Sequence, residues 1–283
     1  MKHICRAALF PLLVLTTGEP DALAEQRRRS GVEDLVSCDP RDRNCDAQNL
    51  LARQAGVSAK PQAPEAPLQP YVSFTTLAAP KPARKAFQKG DRELGAKRPD
   101  FAKASRLLEE AVSLYPAFMA AWQRLGQCRV ATGDLQGATD AFRTAIAVDP
   151  KHPDPYVLLA HVEVMLARID ANGLRMLEIM RLTDRALKLD PSLSSAHFYR
   201  AIASSALGDG KSAMQSIHVI LANGDDAGYP GIHAMLGEIR AAEGDVGAAV
   251  AEYQRYLELD PHSPASDEVR ARLAEWQLNG RIR

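Results

Sequence analysis

From about residue 83 onward, apolar residues recur three and four positions apart, the spacing that places them on one face of an α-helix. The clearest stretch reads Trp122-x2-Leu125-Gly126-x11-Ala138-x3-Phe142-x2-Ala145-x4-Pro150. It predicts two antiparallel helices in close contact, because Gly126 and Ala138 let the backbones approach while the large residues fill the space between them. Pro150 cannot continue the second helix and therefore ends the unit.

The same pattern returns in phase along the chain, so the helix pair is one repeat of a longer array. Repeats 1 to 5 start near Lys85, Met119, Pro153, Ser194 and Pro230, at intervals of 34, 34, 41 and 36 residues. Repeat 1 has about two extra residues before its turn, and repeat 3 has about seven, near positions 168–174. Two interpretations of the longer insertion stay open: both helices are longer and form a ridge, or the turn carries a tolerated surface insertion.

This pattern closely resembles the tetratricopeptide repeat (TPR), over about residues 83–279. The resemblance implies an all-α fold in which residues 80–283 form a right-handed α-α superhelix, a TPR solenoid of about five helix pairs. A C-terminal capping helix at 264–279 is expected to cover the apolar side of the last repeat. One residue departs from the family pattern: Arg129 stands where an aromatic is usual, so we expect that packing position to be filled from elsewhere.

The resemblance also implies a concave groove, lined by the first helix of each repeat, that binds an extended peptide or a partner's helix. The candidate partner-binding residues are Gln123, Gln127, Val157, His161, Val164, Met165, Phe198, Ile202 and Glu238. The Lys and Asn residues with which some TPR domains grip acidic C-termini are missing here, so a neutral, partly apolar groove for an apolar or Pro-rich segment is expected. The alternative is that these residues pack against one another or against the chain's own residues 60–80.

The N-terminus has the pattern of a secretory signal peptide. Lys2 and Arg6 accompany a short apolar stretch, and Ala22-Leu23-Ala24 supplies a small-x-small cleavage pattern. We therefore expect residues 1–24 to be removed and the mature protein to be periplasmic or secreted. No apolar run of about 20 residues predicts a permanent membrane span.

Residues 25–79 are predicted to be a flexible spacer between the signal and the repeats. Six prolines between positions 60 and 82 favour extended chain. Only residues 71–77 (YVSFTTL) have the composition of a strand, and a lone strand needs a partner edge.

Three cysteines remain after signal cleavage, and they fall into two classes. Cys38 and Cys45 flank a short turn-prone segment and are candidates for a local disulfide in an oxidising compartment, with two free thiols as the alternative. Cys128 lies on a predicted helix and is expected to be a small core residue.

Charge and motif content argue against several functions. The 35 basic residues balance the 35 acidic ones, which disfavours nucleic acid as the main partner. The seven histidines form no metal-ligating motif and no phosphate-binding glycine loop occurs, so we predict no enzyme activity, no catalytic residues, no metal and no cofactor. His197 and His233 occupy positions equivalent to Trp122, as a metal or pH-sensitive pair or, alternatively, as core histidines with one hydrogen-bond partner each.

Two functions follow as hypotheses. The first is an exported scaffold that binds a partner protein or peptide segment through the groove. The second is a structural subunit of an envelope or secretion complex that uses its convex surface or self-association. Neither the partner nor the oligomeric state follows from the sequence.

Overall fold

The protein is described by a computed structural model that covers residues 74–170 and 173–280. In these ranges all regular elements are helical. The α-helices are α1 (Phe74–Ala78), α2 (Lys81–Leu94), α3 (Phe101–Leu114), α4 (Met119–Ala131), α5 (Leu135–Val148), α6 (Asp154–Asp170), α7 (Leu174–Leu189), α8 (Ser194–Ala206), α9 (Gly210–Ala222), α10 (Gly231–Ala242), α11 (Val246–Leu259) and α12 (Pro264–Leu278). A short 3-10 turn, Asp226–Gly228, precedes α10.

Five antiparallel helix pairs follow one another along the chain: α2–α3, α4–α5, α6–α7, α8–α9 and α10–α11. Each pair packs against the next, and α12 packs on α11. The expected all-α superhelix of five helix pairs with a capping helix is therefore confirmed. The inner side of α12 is buried at Val269 and Trp276, which cover the last repeat.

A Gly-Asp pair closes the hairpins of repeats 2, 4 and 5. Gly133, Gly208 and Gly244 have φ near +80°, which glycine adopts without steric cost. The following aspartate caps the second helix; Asp134, for example, accepts the backbone N–H of Gly137 at 2.9 Å. Repeats 1 and 3, which carry the extra residues, lack this pair.

Close helix contact inside a repeat depends on one small residue. A Cβ atom built at Gly126 would lie 2.5 Å from the ring of Phe142, and one at Gly237 would lie 2.4 Å from the ring of Tyr253. Both distances are far below van der Waals contact. The aromatic ring of the second helix therefore occupies the place of the missing side chain, as the sequence pattern predicted for repeat 2.

The insertion in repeat 3 lengthens both of its helices. Helix α6 has 17 residues and α7 has 16, against 13 in α4 and 14 in α5. The buried Glu163 of α6 pairs with Arg175 of α7 at 2.5 Å. The longer hairpin also leaves large apolar side chains exposed at Ile169, Leu174 and Leu177.

The predicted strand at 71–77 is wrong where the structure describes it, because Phe74–Ala78 is helical. Helix α1 contacts α4, and the adjacent Ala79 is buried in the core of the first repeats. A helix satisfies its backbone hydrogen bonds internally, whereas an isolated strand would need a sheet edge. The packed body therefore starts earlier than the predicted boundary at residue 80.

We expect Gly126→Ala to destabilise the array by about 1–3 kcal/mol, because the added methyl group must displace the Phe142 ring. The matched control is Gly247→Ala in α11, where a Cβ meets nothing closer than 3.8 Å. That change should be neutral or stabilising, since alanine favours a helix over glycine. Urea unfolding followed by circular dichroism measures both; equal midpoints for the two variants would contradict the prediction.

Candidate functional site

The candidate site is the first-helix face, which we define as the surface formed by α4, α6, α8 and α10. A repeated hydrogen bond fixes three of these helices. The anchor residues Trp122, Tyr156 and His197 bind the carbonyl oxygens of Pro116, Pro150 and Pro191, each six residues earlier, at 2.8, 3.0 and 2.9 Å. The carbonyl oxygen at the end of one repeat thus holds the first helix of the next.

The hydrogen bond to Pro191 identifies His197 as a core histidine. Its Nε2 donates to Pro191, and burial lowers the pKa of the side chain. His233 has a different partner, Glu252, whose Oε2 lies 2.7 Å from Nδ1. The two histidines therefore have separate partners, as the core interpretation requires. In the described residues no three His, Cys, Asp or Glu side chains are grouped to hold a metal ion.

Neighbouring first helices contact each other through a second repeated position. Asp91 of α2 pairs with Arg124 of α4 at 2.8 Å, and His161 of α6 hydrogen-bonds Tyr199 of α8 at 2.5 Å. In each case, the residue two positions after an anchor meets a residue of the preceding repeat. The residues predicted for the groove did not include Arg124 or Tyr199, although each stands two positions after an anchor residue, Trp122 or His197.

Three predicted groove residues lie in the core. Val157, Val164 and Phe198 are only 5–6% exposed, so they offer little surface to a partner. Phe198 packs between the rings of Tyr199 and Tyr229, at centroid distances of 5.4 and 5.1 Å. The groove predicted from these residues is therefore less apolar at its surface than expected.

Three more predicted residues already have polar partners. His161 bonds Tyr199, as above, and Gln127 accepts a hydrogen bond from Arg124 at 2.9 Å. Glu238 accepts the hydroxyl of Tyr253 at 2.7 Å and pairs with Arg272 of the capping helix. The one acidic residue predicted to bind a partner is thus neutralised within the chain.

The remaining three predicted residues, Gln123, Met165 and Ile202, are partly exposed. Met165 lies in the second half of α6, and Ile202 lies on α8, which packs against α6. The first-helix face near repeats 3 and 4 therefore presents uncharged and apolar groups beside the His161–Tyr199 pair.

Arg129 occupies its packing position itself, which corrects the expectation that another residue fills it. The guanidinium donates to the carbonyl oxygen of Gly137 at 3.0 Å and lies 3.5 Å from the carboxylate of Glu109. A planar cation with these acceptors replaces the usual aromatic ring.

Models of the tetratricopeptide repeat match residues 96–160 and residues 230–263. The chain is a tetratricopeptide-repeat protein. These matches cover the end of repeat 1 through the start of repeat 3, and repeat 5. Proteins of this family generally act as scaffolds for protein–protein interaction and generally lack enzyme activity.

Several solved TPR structures share the fold. TTC0263, a TPR protein from Thermus thermophilus, is 22% identical, with a TM-score of 0.51 over 69% of this chain and 99% of that one. YrrB, described as a TPR protein with an unusual peptide-binding site, is 15% identical, with a TM-score of 0.51 over 70% and 98%. MamA from Desulfovibrio magneticus RS-1 is 16% identical, with a TM-score of 0.52 over 66% and 99%. A search of curated proteins finds no match.

These identities establish the fold alone. Within residues 74–170 and 173–280, no helix is long and apolar enough to cross a membrane. The signal-peptide and disulfide predictions concern residues that lie outside the described ranges.

We expect His161 to make stability depend on pH. Burial holds the pKa of His161 below its ordinary value of 6.5, so the unfolded chain takes up a proton at a higher pH than the folded chain does. Unfolding free energy should therefore fall as pH drops below about 6.5, until the folded pKa is reached.

The measurement is urea unfolding at a series of pH values between neutral and mildly acidic. His161→Gln keeps a polar partner for Tyr199, and its unfolding free energy should depend less on pH than that of wild type. Some pH dependence should remain, because burial also lowers the pKa of His197. The control is His218→Gln, because His218 is exposed on α9. An identical pH profile for wild type and His161→Gln would refute the assignment.

Proposed function

We propose that this TPR protein is a scaffold that binds an apolar segment of a partner protein across the first-helix face, with Met165 and Ile202 in the contact. The carrying observation is that these two apolar side chains are partly exposed on neighbouring helices. A neutral surface of this kind suits apolar anchor residues of a partner, which gain by leaving water.

The surroundings of the two residues support an uncharged ligand. His161 is held largely neutral by burial and is bonded to Tyr199, and Glu238 is paired with Arg272. A carboxylate-rich ligand would find no free cation in this group of residues. An apolar or Pro-rich segment meets no uncompensated charge there.

The experiment compares wild type with Met165→Glu/Ile202→Glu, immobilised and exposed to envelope extract. Both positions are partly exposed, so the variant should remain helical by circular dichroism. A partner protein that binds through this face should bind the variant at least about tenfold more weakly, because two carboxylates would be buried against apolar groups. The identified partner is then titrated in purified form.

The matched control is Leu221→Glu/Leu278→Glu, which adds the same charge at exposed apolar positions of α9 and α12. It should bind like wild type. A partner held equally by all three proteins would exclude the first-helix face as the binding site.

A second candidate function, a structural subunit, rests on the exposed apolar tip of the α6–α7 hairpin. Ile169, Leu174 and Leu177 are 74%, 71% and 56% exposed. Sedimentation that shows a concentration-dependent oligomer, lost in Leu177→Glu but kept in Met165→Glu/Ile202→Glu, would favour this function over the first.

We also propose that the protein is exported and acts in the periplasm or outside the cell, on the evidence of the N-terminal sequence pattern. Expression with its own N-terminus should give a mature protein that begins at Glu25, as read by mass spectrometry. The peptide containing Cys38 and Cys45 should then be two hydrogen masses lighter before reduction than after it. A retained N-terminus in the cytoplasmic fraction would refute export.

A further inference from the structure

A cleft of about 450 Å³ opens between the second helices of repeats 2 and 3. Its walls come from α5 and α7, and its floor comes from the first half of α6. Its walls therefore lie on second helices, whereas the proposed partner site lies on the exposed face of first helices.

The floor of the cleft is apolar and well fixed. Leu159 and Leu182 are at most 2% exposed and support the floor from beneath, so the partly exposed Ile146 is the aliphatic residue that a ligand can reach. Tyr156 also lines the cleft, and its hydroxyl is held by the carbonyl oxygen of Pro150 at 3.0 Å. A ligand side chain that enters here meets Ile146, which is held in place by the buried residues beneath it.

The rim of the cleft is basic. Arg143, Arg185 and Lys188 are exposed, and in the described part of the chain no carboxylate lies within ion-pair distance of them. Among the other lining residues, Arg181 binds Glu178 through two nitrogens at 2.7 Å, and Asp184 pairs with Arg200 at 3.4 Å. Arg143, Arg185 and Lys188 therefore form no ion pair in the described ranges, and the lining has four cations against the single carboxylate of Asp184.

This excess of positive charge is a local property. The whole chain has equal numbers of basic and acidic residues. The Arg181 guanidinium lowers the pKa of Glu178, and the charge of Arg143 adds to that lowering although it lies on the neighbouring helix α5. Arg143 of one wall and Arg181 of the other thus act on the same carboxylate.

We propose that this cleft binds an acidic peptide segment of a partner protein, which places one apolar side chain on the floor and its carboxylates toward Arg143, Arg185 and Lys188. The volume suits a large side chain. The three cations lie around a single cleft, which favours a short acidic segment over a nucleic acid, whose binding needs an extended basic surface.

The two proposed sites differ in chemistry as well as in position. The first-helix face suits an uncharged segment, and the cleft suits an acidic one. With both occupied, the protein would hold two different segments at once, which is more than a single-groove scaffold does.

The probe is a panel of fluorescent short peptides with Asp and Glu on both sides of one varied apolar residue, titrated into the full chain by anisotropy. A second panel carries Asn and Gln in place of the acidic residues. The test variant is Arg185→Glu/Lys188→Glu. Its matched control is Arg84→Glu/Lys85→Glu, which changes the charge equally at exposed positions of α2.

At least one acidic peptide should bind with a Kd below about 1 mM, and more weakly at high salt. The test variant should bind it at least about tenfold more weakly, while the control and Met165→Glu/Ile202→Glu bind within about twofold of wild type. The proposal is overturned if no acidic peptide binds in this range, if the Asn/Gln panel binds equally well, or if the test variant binds like wild type.

Discussion

The close approach of two helices within each repeat is the constraint on which the rest of the structure depends. It requires a small residue on the first helix, and in repeats 2 and 5 that residue is a glycine that faces a ring of the second helix, Gly126 with Phe142 and Gly237 with Tyr253. Because interiors are packed as densely as crystals, the ring position then fixes the separation and rotation of the pair. In repeat 2 this contact positions α5, which supplies Arg143 and Ile146 to the cleft.

The link between repeats is polar, and it tolerates chemical variety because it needs only a donor of the right reach. Trp122, Tyr156 and His197 donate from an indole, a phenol and an imidazole to the same kind of carbonyl oxygen. Each donor sits on the helix that starts the next repeat, so the bond sets how one pair is placed on another. His233 lacks the equivalent proline and binds Glu252 of its own repeat instead. Repeat 5 is joined to repeat 4 by apolar packing around Phe198 and Leu236, and by Asp226, which lies 3.6 Å from His233 and 3.2 Å from Arg255.

The fold was predictable from the sequence because the same pattern predicts a helix pair several times along the chain. The longer interval between the starts of repeats 3 and 4 also located the insertion in repeat 3. The site was less predictable, because exposure at a groove position depends on side chains from the adjacent repeat. Phe198 occupies a groove position by register, yet the ring of Tyr229, from the segment that leads into repeat 5, packs on it at a centroid distance of 5.1 Å. The strand expected at 71–77 failed for the same reason, since local composition does not show that α1 packs on α4.

Repeat 3 supplies parts of both proposed sites, and its extended hairpin explains how they stay in a fixed relation. Helix α6 provides Met165 to the first-helix face and Leu159 to the floor of the cleft. Glu163, on the same helix, is buried and would be costly there without Arg175 of α7. The loss of Arg175 would leave the buried carboxylate of Glu163 without its cation, so this pair adds to the apolar core that α6 and α7 share. The basic wall formed by α7 and the apolar face formed by α6 therefore belong to one packed helix pair.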